Sequence, residues 1–155
     1  MDDTDLRLLA AVQEEVPLVS RPFWALGEKL GLGEDEVISR LEKLERDGLV
    51  RRLGPILDIR KLGLTGVLVA AKVSEGETQR LADVVDRYEE VSHNYLRPND
   101  SGYNMWFTVS AKEDRIQEIL KEIRSMTGHK LLVLPTVKIF KIGVKFDIVR
   151  YRMLI

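Results

Sequence analysis

Cysteine is absent from the 155 residues, aromatics supply only 6% of them, and 24 Lys+Arg against 25 Asp+Glu leave a net charge of −1. Each shortage closes off a class of protein. Without cysteine there is no disulfide, iron–sulfur cluster, thiolate zinc site or covalent haem attachment, and any nucleophile must be another residue. A charge near zero provides no bulk attraction to nucleic acid or to an anionic membrane. No apolar run approaches the roughly 20 residues of a membrane span. The N-terminus, MDDTDLRLLAAVQEE, carries acid where a signal peptide carries base, so the chain is expected to be cytoplasmic. What is present is 45% hydrophobic residues beside 32% charged ones, the balance of a folded chain. A length near 150 fits one ordinary domain or two small ones.

The hydrophobic period changes along the chain. Leu6, Leu9 and Val12 recur at helical spacing before Pro17. A second short helix is expected from Ser20 as N-cap and Pro22 in the first turn, with Phe23, Leu26 and Leu30 on one face before Gly31. In the third, Gly33 opens the helix, Glu34, Asp35 and Glu36 load its first turn, and Val37, Leu41 and Leu44 form the stripe that ends near Gly48. LVRRLGPILDI then alternates around Gly54-Pro55 and is expected to form a two-stranded wing. Residues 1–60 are thus expected to be a winged helix-turn-helix domain.

From there strands and helices interleave. GVLVAAKV is a β run; Thr78–Tyr88 is helical, with Leu81, Val84, Val85 and Tyr88 inward; VSHNYLR and YNMWFTVS are strands joined as a hairpin by the turn-rich PNDSG. Ala111–Met126 reads as a helix on Ile116, Ile119, Leu120 and Ile123, and KLLVLPTVKIF as the fourth strand. The order βαββαβ is ferredoxin-like, so residues 61–155 are expected to be such a domain, with KIGVKFDIVRYRMLI as a further strand or partner-binding arm. The fold class is α+β.

A winged helix followed by a small ferredoxin-like domain resembles the Lrp/AsnC family of amino-acid-responsive transcription regulators, which makes DNA binding the first function to weigh. The N-terminal residues of the recognition helix would meet the major groove. Here they are Glu34, Asp35 and Glu36, and Glu34–Asp47 holds six acids against the three bases Arg40, Lys43 and Arg46. Phosphate contacts supply most non-specific affinity, and an acidic helix forfeits them. Residues 1–62 as a whole hold 13 acids and 10 bases. Their one basic cluster is Arg51, Arg52, Arg60 and Lys61, at the wing and the junction.

The hairpin concentrates the chain's unusual chemistry. SHNYLRPNDSGYNMWF holds one of the two His, two of the four Tyr, one of the two Trp and an Arg in sixteen residues. Alternation places His93, Tyr95 and Arg97 on one face of the first strand, and Asn94 and Leu96 on the other. On the second strand, Tyr103, Met105 and Phe107 share a face. Imidazole, phenol, guanidinium and flat rings together suit a large planar ligand bearing carboxylates: rings stack, Arg pairs with carboxylate, and neutral imidazole can ligate iron. Met105, Trp106 and Phe107 could equally be sheet core or dimer interface.

The phrase SHNYLR followed by YNMWFTV, with RRLGPILD before and LPTVKIFKIGVKFD after, is similar to the siroheme decarboxylase family, Lrp/AsnC-like proteins of the alternative haem pathway. The resemblance covers nearly the whole chain. It implies a carboxy-lyase that removes two acetate carboxyls of siroheme to give 12,18-didecarboxysiroheme, without a cofactor beyond the iron tetrapyrrole substrate. It also implies association with a paralogous subunit or a second copy, and no DNA-reading role for the helix-turn-helix. On this reading His93 is the axial ligand to the substrate's iron or the proton donor, and Tyr95 is an alternative donor. Arg51, Arg52, Asn94, Arg97, Tyr103, Asn104, Trp106 and Lys141 are the candidates for holding the substrate.

Losing carbon dioxide from a pyrrole acetate leaves a carbanion next to the ring, which the macrocycle can delocalise. The protein must then hold the flat ring, desolvate the departing carboxylate and deliver a proton. A tight Arg clamp on the reacting carboxylate would stabilise the ground state, so that group is expected in a less charged pocket. His129, at a glycine turn after a helix, reads as a capping or surface residue. Lys138, Lys141 and Lys145 form a solvated strand face or collect substrate carboxylates. The alternative function is an Lrp/AsnC-type regulator that binds DNA.

Overall fold

A computed structural model describes residues 1–140, 143 and 146–148. The chain divides into two compact units, residues 56–140 and residues 1–55, and the described residues 143 and 146–148 group with the latter.

The N-terminal unit is built on three helices, α1 (Asp3–Glu14), α2 (Pro22–Leu30) and α3 (Glu34–Arg46). Leu8, Leu26, Val37 and Leu41 form its core, packed by Ala11, Val12, Phe23, Leu30 and Leu32. α1 starts in a reciprocal capping box: the Asp5 amide donates to Asp2 Oδ1 and the Asp2 amide to Asp5 Oδ2, both at 2.8 Å. α2 begins one residue later than expected. Pro22 occupies its first turn and the residue before a proline is driven out of the helical region, so the cap is Arg21 rather than Ser20. Between α2 and α3 the chain folds back on Gly27, where a Cβ would lie 2.5 Å from the Leu32 carbonyl oxygen; only glycine permits that approach.

The expected wing carries no ladder. Residues 50–58 take no regular structure, and Leu53, Ile56 and Leu57 are exposed. Pro55 lacks the amide a ladder needs, and a lone two-stranded ribbon with no face to bury is marginal in water. In the C-terminal stretch, two hydrogen bonds tie Phe146 to Gln13: Gln13 Nε2 donates to the Phe146 carbonyl at 3.2 Å and the Phe146 amide to Gln13 Oε1 at 3.0 Å. The expected arm otherwise falls mainly outside the described residues, as do Lys141 and Lys145.

The C-terminal unit follows the expected order: β1 (Thr65–Ala71), α4 (Thr78–Val85), β2 (Val91–Leu96), β3 (Met105–Ala111), α5 (Glu113–Thr127) and β4 (Leu131–Pro135). The sheet order is β2-β3-β1-β4 and every neighbouring pair is antiparallel. Val67, Val69 and Ala71 of β1 and Met105, Phe107, Val109 and Ala111 of β3 point to one face. There they pack with Leu81, Val84 and Val85 of α4 and Ile116, Ile119, Leu120 and Ile123 of α5. That settles Met105 and Phe107 as core, at 2% and 0% exposure. β4 stops at Pro135, short of the expected Phe140, because proline ends the ladder and Val137 and Phe140 beyond it lie in solvent.

The helices cover one face of this sheet and leave the other open. Register makes the open face two rows of residues, one from each strand in the order β2, β3, β1, β4. One row is His93, Thr108, Leu68 and Leu134; the other is Tyr95, Trp106, Ala70 and Leu132. Four strands at about 4.8 Å spacing make a platform about 14 Å wide.

Candidate functional site

The open face is polar and aromatic on β2–β3 and aliphatic on β1–β4. His93 stands at its polar end. A bulge puts it there: Val91 pairs with Val109 and His93 with Thr108, so Ser92 is an additional residue in the strand. Ser92 and His93 therefore share the Thr108 position. His93 Nδ1 lies 3.0 Å from Ser92 Oγ, and Ser92 Oγ lies 2.8 Å from Thr108 Oγ1. No partner occupies His93 Nε2 among the described residues. An imidazole held through one nitrogen with the other free is the arrangement of a metal-ligating histidine.

Next in the pleat is Tyr95, 38% exposed, its hydroxyl free of partners among the described residues. The Arg97 guanidinium carbon sits 5.2 Å from the Tyr95 ring centroid. It forms no ion pair among the described residues. Trp106, opposite Tyr95, is fixed by its indole N–H, which donates to the Arg97 carbonyl at 2.9 Å. Its ring centroid lies 6.4 Å from that of Tyr103 at an interplanar angle of 59°.

Tyr103 is not on the core face with Met105 and Phe107, as alternation suggested. β3 begins only at Met105, so Tyr103 lies outside the pleat and turns towards Trp106. Lys72, not anticipated from the sequence, places its ammonium 4.8 Å from the Tyr103 ring centroid. Gly102 beside it adopts φ +80°, a backbone conformation that favours glycine. The one sequence signal for Lys72 was its position as the first charge after the apolar run of β1.

Two expected substrate contacts hold partners within the fold. Asn104 clasps the end of β1: its Nδ2 donates to the Val73 carbonyl at 2.7 Å, and its Oδ1 accepts from the Val73 amide at 2.9 Å. Both ends of that amide are committed to backbone. Asn94 pairs with Phe107 on the helix side of the sheet and donates to Asp86 at 2.8 Å, away from His93; its Oδ1 is buried without a partner. Arg51 and Arg52 belong to the N-terminal unit, exposed and without hydrogen bonds among the described residues. His129 follows the α5 C-cap Gly128, its amide donating to Thr127 Oγ1 at 3.3 Å.

An open groove of about 680 Å³ lies elsewhere, at the far end of β2, lined by Arg87, Tyr88, Glu89, Glu90, Ser110 and Arg115. Its chemistry is largely self-satisfied. Arg115 binds Glu90 at 2.8 Å and Glu118 at 3.2 Å, and the Arg115 guanidinium holds the Glu90 carboxyl below its usual range. Burial and a hydrogen bond donated to Glu122 push the Tyr88 phenol up to about 12. Among the described residues, no group of three His, Asp or Glu side chains is placed to hold a metal ion, and no helix is long and apolar enough to cross a membrane.

In the N-terminal unit two of the three bases of α3, Arg40 and Arg46, face acids. Arg40 binds Asp2 at 2.9 Å, Asp5 at 2.8 Å and Glu36 at 2.9 Å. Arg46 lies 3.9 Å from Glu42, and Arg21 pairs with Glu34 at the start of α3.

Three helices in one unit and a half-covered antiparallel sheet in the other define a protein of the AsnC type. Residues 61–141 match the model of the AsnC-like ligand binding domain. The crystal structure of an AsnC family transcriptional regulator from Agrobacterium tumefaciens shares this fold, with a TM-score of 0.75, 20% identity, and 97% of this chain and 99% of that one covered. Residues 5–51 match the siroheme decarboxylase NirDL-like HTH domain. The siroheme decarboxylase alpha subunit of Desulfovibrio desulfuricans is 42% identical over 94% of this chain and 84% of its own length. The crystal structure of the siroheme decarboxylase NirDL in co-complex with an iron-uroporphyrin III analogue matches with a TM-score of 0.69 and 30% identity, over 98% of this chain and 50% of that one. The chain belongs to the siroheme decarboxylase family.

Proposed function

We propose that this protein is a subunit of a siroheme decarboxylase, a carboxy-lyase that takes the tetrapyrrole on the open face of its sheet. The observation that carries the reading is His93: one imidazole nitrogen tied to Ser92, the other free, on a flat platform flanked by aromatic rings and a cation with no acid partner. Relatives at this level of identity bear the same activity in their names.

On this reading His93 Nε2 is the axial ligand to the substrate's iron, and the macrocycle lies along the platform, in contact with Trp106, Tyr95 and the leucines of β1 and β4. Arg97 and Lys72 pair with carboxylates that stay on the ring. Arg51 and Arg52 remain candidates for the same task. The reacting acetate loses carbon dioxide, its C–C bonding pair passes to the carbon next to the pyrrole and into the conjugated ring, and a proton delivered to that carbon leaves a methyl group. Because an imidazole bound to iron through Nε2 cannot also donate from it, the free hydroxyl of Tyr95 supplies that proton. The ring itself is the electron sink, so no organic cofactor is required.

The face is open, and the siroheme decarboxylase NirDL is about twice as long as the match. A second unit of the same kind, a paralogous subunit or another copy of this chain, completes the site in the cytoplasm. Reading of DNA by α3 is disfavoured physically: Arg40 and Arg46 already face carboxylates, leaving Lys43 as its unpaired base among the described residues.

The test is anaerobic incubation with siroheme, with and without the paralogous subunit, followed by mass analysis of the extracted tetrapyrrole. Loss of two carbon dioxide equivalents is expected. Unchanged siroheme under both conditions overturns the proposal. Tyr95→Phe is expected to retain the bound tetrapyrrole and lose turnover about 100-fold, within the usual contribution of a general acid.

A further inference from the structure

We propose that Ser92 and Thr108 are positioning residues, a two-hydroxyl relay that keeps the proton of His93 on Nδ1 and so presents Nε2 as a lone pair. The inference rests on the reading of His93 as the ligand to the substrate's iron. Its basis is the bulge. Without it, alternation from Val91 would turn one of Ser92 and His93 towards the helices; with it, both face Thr108. Three polar atoms consequently meet: Ser92 Oγ is 3.0 Å from His93 Nδ1 and 2.8 Å from Thr108 Oγ1, and Thr108 Oγ1 is 3.5 Å from Nδ1.

A hydroxyl both donates and accepts. The chain can therefore run from Nδ1–H to Ser92 Oγ, and from the Ser92 O–H to Thr108 Oγ1, with each hydrogen used once. That direction leaves Nε2 unprotonated and without a partner among the described residues. Most ligating histidines have their second nitrogen tied to a carboxylate or a backbone carbonyl. Here neutral hydroxyls take that place, so the ring is oriented without bringing a negative charge against a substrate that already carries many. Position 92 needs the hydroxyl nearest the ring, and position 108 needs an acceptor for it. Alanine at the first and valine at the second remove these functions with little change of volume.

Two measurements test the relay. The first uses the ligand-free protein with ¹⁵N-labelled histidine, at a pH where imidazole is neutral. With only two histidines in the chain, the His93 ring is assigned by its loss in His93→Ala. Wild type is expected to show the Nδ1–H tautomer as the major form, and Ser92→Ala to revert to the Nε2–H form that free imidazole side chains prefer. The second is titration with ferric iron-uroporphyrin III, read by visible and EPR spectra. His93→Ala is expected to abolish the imidazole-ligated signature. Ser92→Ala and Thr108→Val should keep its form but weaken binding about 10-fold, and Ser92→Thr should restore it. An unchanged tautomer and wild-type binding in Ser92→Ala, with His93→Ala still losing the signature, overturn the relay and leave the ligand reading intact. An unchanged spectrum in His93→Ala overturns the ligand reading itself, and the tautomer then decides separately whether the hydroxyls set the ring.

Discussion

Two sets of cations, one at α2 and α3 and one on the open face of the sheet, meet opposite surroundings. In the N-terminal unit Arg40 is enclosed by Asp2, Asp5 and Glu36, and Arg21 and Arg46 also face acids. On the open face of the C-terminal unit Arg97 and Lys72 lie over tyrosine rings with no carboxylate among the described residues. Aromatic faces attract a cation without neutralising it. The first arrangement joins α3 to the start of α1; the second keeps cations available for an incoming anion. Arg40 and Arg46 are committed within the fold of the helix-turn-helix, whereas Arg97 and Lys72 keep their charge open to a ligand.

The strongest way to break this contrast is to remove Arg40. Asp5 is only 4% exposed, and losing Arg40 leaves its carboxylate the Asp2 amide and the N-terminal ammonium at 4.0 Å, a cost of up to about 3 kcal/mol. Arg40→Met should lower the stability of the N-terminal unit by that amount without weakening tetrapyrrole binding to the other. Each unit holds one of the two tryptophans, Trp24 and Trp106. Denaturation of single-tryptophan variants therefore reads the units separately. Equal destabilisation at both reporters would show that the two units share one fate and would dissolve the comparison.

Arg97→Ala should do the reverse. An exposed side chain outside any ion pair contributes within about 0.5 kcal/mol to folding, yet iron-uroporphyrin III should bind about 10-fold more weakly, near 1.4 kcal/mol. Arg97→Lys keeps the charge but loses the planar fork, so partial recovery is expected. Isothermal titration measures both variants, and wild-type affinity in Arg97→Ala would remove it from the site.

Carboxylates with lowered values occur in both units, Glu90 being one in the second, so the alkaline limb is what should distinguish them. In the first, an Asp5 backbone hydrogen bond and then Arg40 hold Asp2 below the ordinary carboxylate range; burial pushes Asp5 up, but the Asp2 backbone and Arg40 outweigh it. Folded values below unfolded ones mean stability that is full above about pH 4 and lost as pH falls through the depressed values. In the second, burial and Glu122 raise Tyr88 to about 12. That contribution is full below about pH 10 and lost as pH rises towards 12. Acid titration followed at Trp24 should show a loss as pH falls below about 4, and Tyr88→Phe should flatten the alkaline limb seen by circular dichroism.

The sequence made the strand and helix order legible because periods of 2 and 3.6 differ plainly in runs such as GVLVAAKV and RIQEILKEI. It also located the hairpin and the shared face of His93 and Tyr95. It could not show the bulge, since an additional residue at Ser92 is visible only in the pairing of Val91 with Val109 and His93 with Thr108. Lys72 was missed for the same reason: its contact with Tyr103 depends on how β1 and β3 align. Asn104 looked like a ligand contact because an amide reads the same whether it binds a substrate or a strand end. The ladder expected in the wing is absent: alternation around Gly54-Pro55 indicates extended chain without indicating a surface to bury it.

Arg46 gives the smallest effect and the sharpest control. It shares α3 with Arg40 and also faces an acid, yet its pair with Glu42 spans 3.9 Å, with side chains 69% and 61% exposed. Water screens such a pair, and fixing two long side chains costs entropy, so exposed i,i+4 pairs contribute about 0.3–0.5 kcal/mol. Arg46→Ala should therefore shift the midpoint of Trp24-monitored denaturation by no more than that, and the Glu42→Ala/Arg46→Ala double-mutant cycle should give a coupling of the same size. Arg40 and Arg46 differ in what lies beneath them: Arg40 reaches a carboxylate largely shielded from water, whereas Glu42 is hydrated with or without its partner. A loss at Arg46 as large as that at Arg40 would mean that the charge of α3, rather than the burial of Asp5, holds the N-terminal unit together.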